Sequence, residues 1–131
     1  MTRNAVIRTA LWVSVALNVL GVSVFLPAAM GRDSALLPIP GPPFYAAQVA
    51  LVIGLFCGVY AWLARQPVIN RPLLVVGALG KLGFFASAVI YWTVGDLRGI
   101  VVPQSSPDLV LAVVFLWWVV TEPKRDGANA V

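Results

Sequence analysis

Charge is so sparse along this chain that its spacing constrains the fold more than any motif does. Positions 9–31, between Arg8 and Arg32, carry no charge, and neither do positions 34–64. Positions 72–95 are interrupted only by Lys81, and a shorter uncharged run covers Leu109 to Thr121. A helix needs about 20 mostly apolar residues to cross the hydrocarbon of a bilayer. The first three runs satisfy that length. Mean hydropathy is +0.92, and only 11% of the residues are charged. A soluble domain of 131 residues could not bury so much apolar surface, because small domains cover only about 60–70% of what the unfolded chain exposes. The expected solvent is lipid.

The fourth run is short, but its start carries helix-initiating chemistry. Ser105 and Ser106 are N-cap types, Pro107 suits a first helical position, and Asp108 suits the positive end of the dipole. The sequence therefore predicts an all-α fold, a single four-helix transmembrane bundle with spans near 9–29, 44–64, 72–95 and 106–122. The first run exceeds the apolar core of a signal peptide and lacks a good cleavage site, so it reads as a retained span. Thr2 and the terminal residues offer no lipidation motif.

Orientation follows from the basic residues. Arg3, Arg8, Arg65, Arg71, Lys124 and Arg125 would share one side, against Arg32 and Arg98 on the other. This bias predicts both termini in the cytoplasm. Trp12, Trp62, Trp117 and Trp118 fall at that interface, and Tyr45, Tyr91 and Trp92 at the other, as amphipathic rings prefer. Pro38, Pro40, Pro42 and Pro43 predict a stiff outer connection. The +4 net charge is accounted for by topology, so it gives no reason to expect a nucleic-acid partner.

The chain has no histidine and one cysteine, Cys57. That composition excludes a catalytic triad built on histidine, an intramolecular disulfide, a dithiol redox centre and a Cys/His zinc site. No metal and no cofactor is expected. Asp33, Asp96, Asp108, Glu122 and Asp126 all read as peripheral, the outer ones paired with Arg32 and Arg98.

Lys81 is the most informative position. It follows Arg71 by ten residues, about 15 Å at 1.5 Å per residue, which is near mid-bilayer. A central lysine costs about 2.5–3.5 kcal/mol on insertion. Eleven Leu, Val, Ile and Phe residues in the same span offset this at roughly 0.3–0.6 kcal/mol each. An embedded charge of this kind marks a functional site unless its side chain merely snorkels toward its own N-terminus. Asn18 follows Arg8 by ten residues in a parallel span, so it falls at the same depth. Ser14, Asn18, Lys81 and Ser87 thus form the candidate polar intramembrane site, with Lys81 expected to donate to Asn18. Small residues mark the helix-packing faces: Ala46, Ala50, Gly54 and Gly58 in span two, and Gly77, Gly80 and Gly83 in span three. Such residues let backbones approach within a bundle or across a homodimer seam.

The segment Trp62-Leu63-Ala64-Arg65-Gln66-Pro67, the tetrad Gly80-Lys81-Leu82-Gly83 and Phe115-Leu116-Trp117-Trp118 sit in a layout that resembles small bacterial four-span membrane proteins, broadly DoxX-like in size and span count. The resemblance implies an inner-membrane, multi-pass protein and supplies no catalytic residue. Small multidrug exporters need an embedded glutamate where this chain has Asn18. Fluoride channels have a weak charge bias, and four-helix thiol oxidases need paired cysteines. The expectation is a non-enzymatic accessory or structural membrane component, whose partners are the bilayer and another membrane protein or a second copy. The alternative is a small oligomeric transporter or ligand-binding bundle using Lys81 and Asn18.

Overall fold

In a computed structural model, the described residues are 2–32, 36–37 and 41–122. Asp33, Pro38, Pro40, Pro123, Lys124, Arg125 and Asp126 lie outside them. The described residues form an all-α fold of four helices: α1 (Arg3–Ala29), α2 (Pro43–Arg65), α3 (Arg71–Thr93) and α4 (Val101–Thr121). Each is long and apolar enough to cross a membrane. Large apolar side chains face outward, including Leu55, Leu79, Val113 and Val120. An outward apolar surface around a small core is stable only in an apolar solvent.

Local chemistry sets most of the helix ends. Thr2 caps α1 by accepting from the Ala5 amide, and Asn70 caps α3 by accepting from the Leu73 amide at 3.0 Å. Pro43 opens α2 and Pro72 lies in the first turn of α3, where a missing N–H costs nothing. The far ends of α1 and α3 close in the same way. Gly31 (φ 75°) and Gly95 (φ 85°) adopt the left-handed conformation. Arg32 N–H then donates to the Pro27 carbonyl and Asp96 N–H to the Tyr91 carbonyl. These are Schellman closures, and an L side chain at either glycine would be strained. Helix α3 thus ends at Thr93, two residues before the expected 95.

Helix α4 departs further from expectation. It begins at Val101 rather than 106, so Ser105, Ser106 and Pro107 lie inside it. Ser105 and Ser106 are therefore not N-caps. Pro107 removes the N–H that would reach the Pro103 carbonyl. The Ser106 hydroxyl supplies the replacement, donating to the Pro103 carbonyl at 2.8 Å. Ser105 donates to the Val102 carbonyl at 2.9 Å. The serines repair a proline interruption, and Asp108 sits about two turns into the helix.

Helix α1 packs along α2, and α3 along α4; contact between the two hairpins is sparser, mainly α1 against α4. The core gathers where α1 and α3 begin and α2 and α4 end. Ile7, Leu11, Leu63, Leu74, Ala78 and Phe115 are buried there around Tyr60. Arginines stitch this end. The Arg8 guanidinium donates to the carbonyls of Ala64 and Gln66, both at 2.5 Å, at the C-terminus of α2. Arg71 donates to the carbonyls of Val119 and Glu122 at the C-terminus of α4. Arg3 crosses between the hairpins to the Thr121 carbonyl at 2.7 Å. A fixed cation meeting unpaired carbonyls at the negative end of a helix satisfies both groups. Arg65 and Arg71 also lie over the rings of Trp12 and Trp118, at 5.5 and 5.9 Å.

Candidate functional site

Beyond the stitched end the hairpins diverge around a cavity of about 700 Å³ lined by all four helices. Its two sides differ in chemistry. The α1–α2 hairpin supplies mainly apolar side chains, among them Leu17, Val24, Phe25, Ile53 and Phe56, with Asn18 and the hydroxyl-bearing Tyr60 as the exceptions. The α3–α4 hairpin is mixed: Phe84, Val101 and Pro107 stand among Lys81, Ser87, Gln104, Ser105 and Asp108. The volume falls in the range of pockets that hold small organic molecules.

Lys81 forms the polar floor with Asp108. The Lys81 ammonium lies 2.5 Å from an Asp108 carboxylate oxygen, with side-chain exposures of 4% and 21%. It also stands 5.1 Å from the centre of the Tyr60 ring, within cation–π range. Tyr60 is held in turn: its hydroxyl donates to the Gly77 carbonyl at 3.1 Å, and its ring packs on Phe56 and Phe115. Gly77 is what admits the ring. A Cβ there would lie 2.8 Å from Tyr60 Cε1, closer than real contacts allow.

The expected bond from Lys81 to Asn18 is not formed. Lys81 is engaged by Asp108, while the Asn18 side-chain amide donates to the Ile53 carbonyl at 3.1 Å. A carboxylate in the next helix is a better partner for an ammonium than a neutral amide, because charge-assisted bonds are roughly twice as strong. Asn18, Lys81 and Ser87 nevertheless line one cavity. Ser14 does not join them. It is buried, and its hydroxyl donates to the Ala10 carbonyl one turn back.

The small-residue faces divide. Ala50 is buried and Ala46 half-buried, and Gly54 stands against Val22 of α1. A Cβ on Gly80 would touch the Phe56 ring at 3.5 Å. At Gly58 and Gly83 a Cβ would meet nothing within 4 Å. Neither glycine is a packing contact within this bundle, and Gly83 lines the cavity instead. Cys57 is half-buried, with its thiol 3.7 Å from the Val15 carbonyl.

Asp108 is the site residue that sequence reasoning missed. It read as a dipole-compensating acid at a membrane surface, and its depth becomes visible only once α4 is known to start upstream of Pro107. Among the described residues, no three His, Cys, Asp or Glu side chains converge as a metal site. No family model, no curated protein and no solved structure matches the chain.

Proposed function

We propose that the protein is a multi-pass component of the cell's inner membrane, with both termini cytoplasmic, that binds a small organic ligand in the cavity between its hairpins. The observation that carries the reading is the Lys81–Asp108 pair. It lies in the cavity wall, where Lys81 is covered and Asp108 keeps 21% of its side chain exposed. Charged groups at membrane depth are expensive and gather along ligand and ion pathways. Gln104 and Ser87 extend the same polar surface, and Asn18 lines the cavity from the other side. The excess of basic residues beside the stitched end supports the orientation, which turns the cavity toward the outer half of the bilayer. The activity proposed is binding or passage, without covalent chemistry.

A second reading is a structural or accessory role. The near-complete burial of Lys81 and its tight engagement by Asp108 favour an ion pair that clamps α3 to α4.

Thiol accessibility separates the two. Single cysteines at Ser87 and Gln104, in a Cys57→Ser background and oriented vesicles, are treated with a membrane-impermeant maleimide from each side. Leu79→Cys and Val113→Cys, on outward apolar faces, serve as controls. The binding reading expects positions 87 and 104 to label from the non-cytoplasmic side at least tenfold faster than the controls. Labelling no faster than the controls from either side would leave the accessory role.

A further inference from the structure

The cavity's two unlike walls and its self-neutralised floor specify a ligand class. Taking the binding reading as given, we infer that the occupant is an uncharged amphiphile, apolar along one side and carrying hydroxyl or carbonyl groups along the other.

The apolar side follows from the α1–α2 wall. Phe25, Ile53 and Phe56 offer broad surfaces that reward hydrocarbon and offer no partner to a polar group. The hydrogen-bonding side follows from the opposite wall. Ser87 and Gln104 present groups that both donate and accept, so they match hydroxyls and carbonyls without demanding a charge.

The absence of net charge follows from the floor. Lys81 and Asp108 are the cavity's only lysine, arginine or carboxylate side chains among the described residues, and they neutralise each other at 2.5 Å. An anionic ligand at Lys81 would also meet the Asp108 carboxylate that Lys81 already neutralises, and the site would be left with a net negative charge. A cationic ligand would do the reverse. Either leaves an unpaired charge in a low-dielectric site, the least favourable arrangement for a buried pair. A neutral ligand keeps the pair intact and can still bond the carboxylate oxygens that Lys81 leaves open.

The test compares three ten-carbon probes: monodecanoylglycerol (uncharged), decanoate (anionic) and decyltrimethylammonium (cationic). Retention of each radiolabelled probe is measured on detergent-solubilised, immobilised protein. Gly83→Leu fills the cavity at a position where nothing blocks the new side chain, and Gly58→Leu places the same bulk on an open position outside it. The wild type is expected to bind monodecanoylglycerol at least tenfold more tightly than either charged probe. Gly83→Leu should weaken that binding about tenfold, and Gly58→Leu should leave it unchanged. Asp108→Asn, which strands Lys81, should shift the preference to decanoate. Binding of a charged probe as tight as that of the glyceride, still blocked by Gly83→Leu, would overturn the ligand class while leaving cavity binding in place. Retention of every probe unchanged by Gly83→Leu would overturn cavity binding itself, and the class with it.

Discussion

Lys81 and Asp108, 27 positions apart in the chain, meet at 2.5 Å across the α3–α4 interface and form the floor of the cavity. Their depth makes the pair sensitive to the loss of either member. Lys81→Met would leave a carboxylate without its counter-ion, and Asp108→Leu would leave an ammonium with only the Tyr60 ring. Each single change should destabilise the bundle by about 3–5 kcal/mol. The double change removes both charges and should recover most of that loss. Reversible unfolding in mixed micelles measures all four corners of this cycle. Additive losses would mean the two charges are not coupled.

Tyr60 and Gly77 form a second coupled pair. Gly77→Ala forces a methyl against the ring at 2.8 Å, an overpacking expected to cost about 1–3 kcal/mol. Tyr60→Phe removes only the hydroxyl bond to the Gly77 carbonyl, worth about 0.6 kcal/mol between helices in lipid. Tyr60→Leu frees the space beside Gly77, so Gly77→Ala in that background should be close to neutral. The same unfolding assay reads the difference.

The arginine stitches discriminate between charge and geometry. Arg8 reaches the Ala64 and Gln66 carbonyls with two separate nitrogens, a fork that lysine cannot reproduce. Arg8→Ala should lose about 1.5–3 kcal/mol per charged hydrogen bond removed, less what water recovers around this part-buried side chain. Arg8→Lys should restore less than half of the loss. Amide hydrogen exchange over residues 61–70 should accelerate in both variants and more in Arg8→Ala.

Pro107 offers a prediction of opposite sign. Proline in a helix interior costs about 3 kcal/mol relative to alanine. Pro107→Ala restores a backbone donor to the Pro103 carbonyl, which the Ser106 hydroxyl now serves. The substitution should raise the unfolding temperature. Ser106→Ala alone should lower it, by about 0.5–1.5 kcal/mol in free energy. In the Pro107→Ala background, Ser106→Ala should have almost no effect. A full Ser106 effect in both backgrounds would contradict the repair role.

Lipid compatibility and the four helices were legible in the chain itself, whereas α1 starts at Arg3, not near 9. Uncharged length and the capping chemistry of single residues are local signals, each acting within a turn or two of its own position. The start of α4 misled for the same reason. Ser105-Ser106-Pro107-Asp108 carries the local chemistry of a helix start, and only packing extends the helix upstream to Val101, which is buried. Lys81 was visible as an anomaly because its cost depends on depth alone. Its partner was not, because the choice of Asp108 over Asn18 depends on how α3 lies against α4. The amphipathic cavity, the fork of Arg8 and the fit of Tyr60 against Gly77 likewise belong to the tertiary structure. A linear pattern specifies which faces prefer lipid. The register between two helices is settled only when side chains far apart in the chain compete for the same space and the same hydrogen bonds.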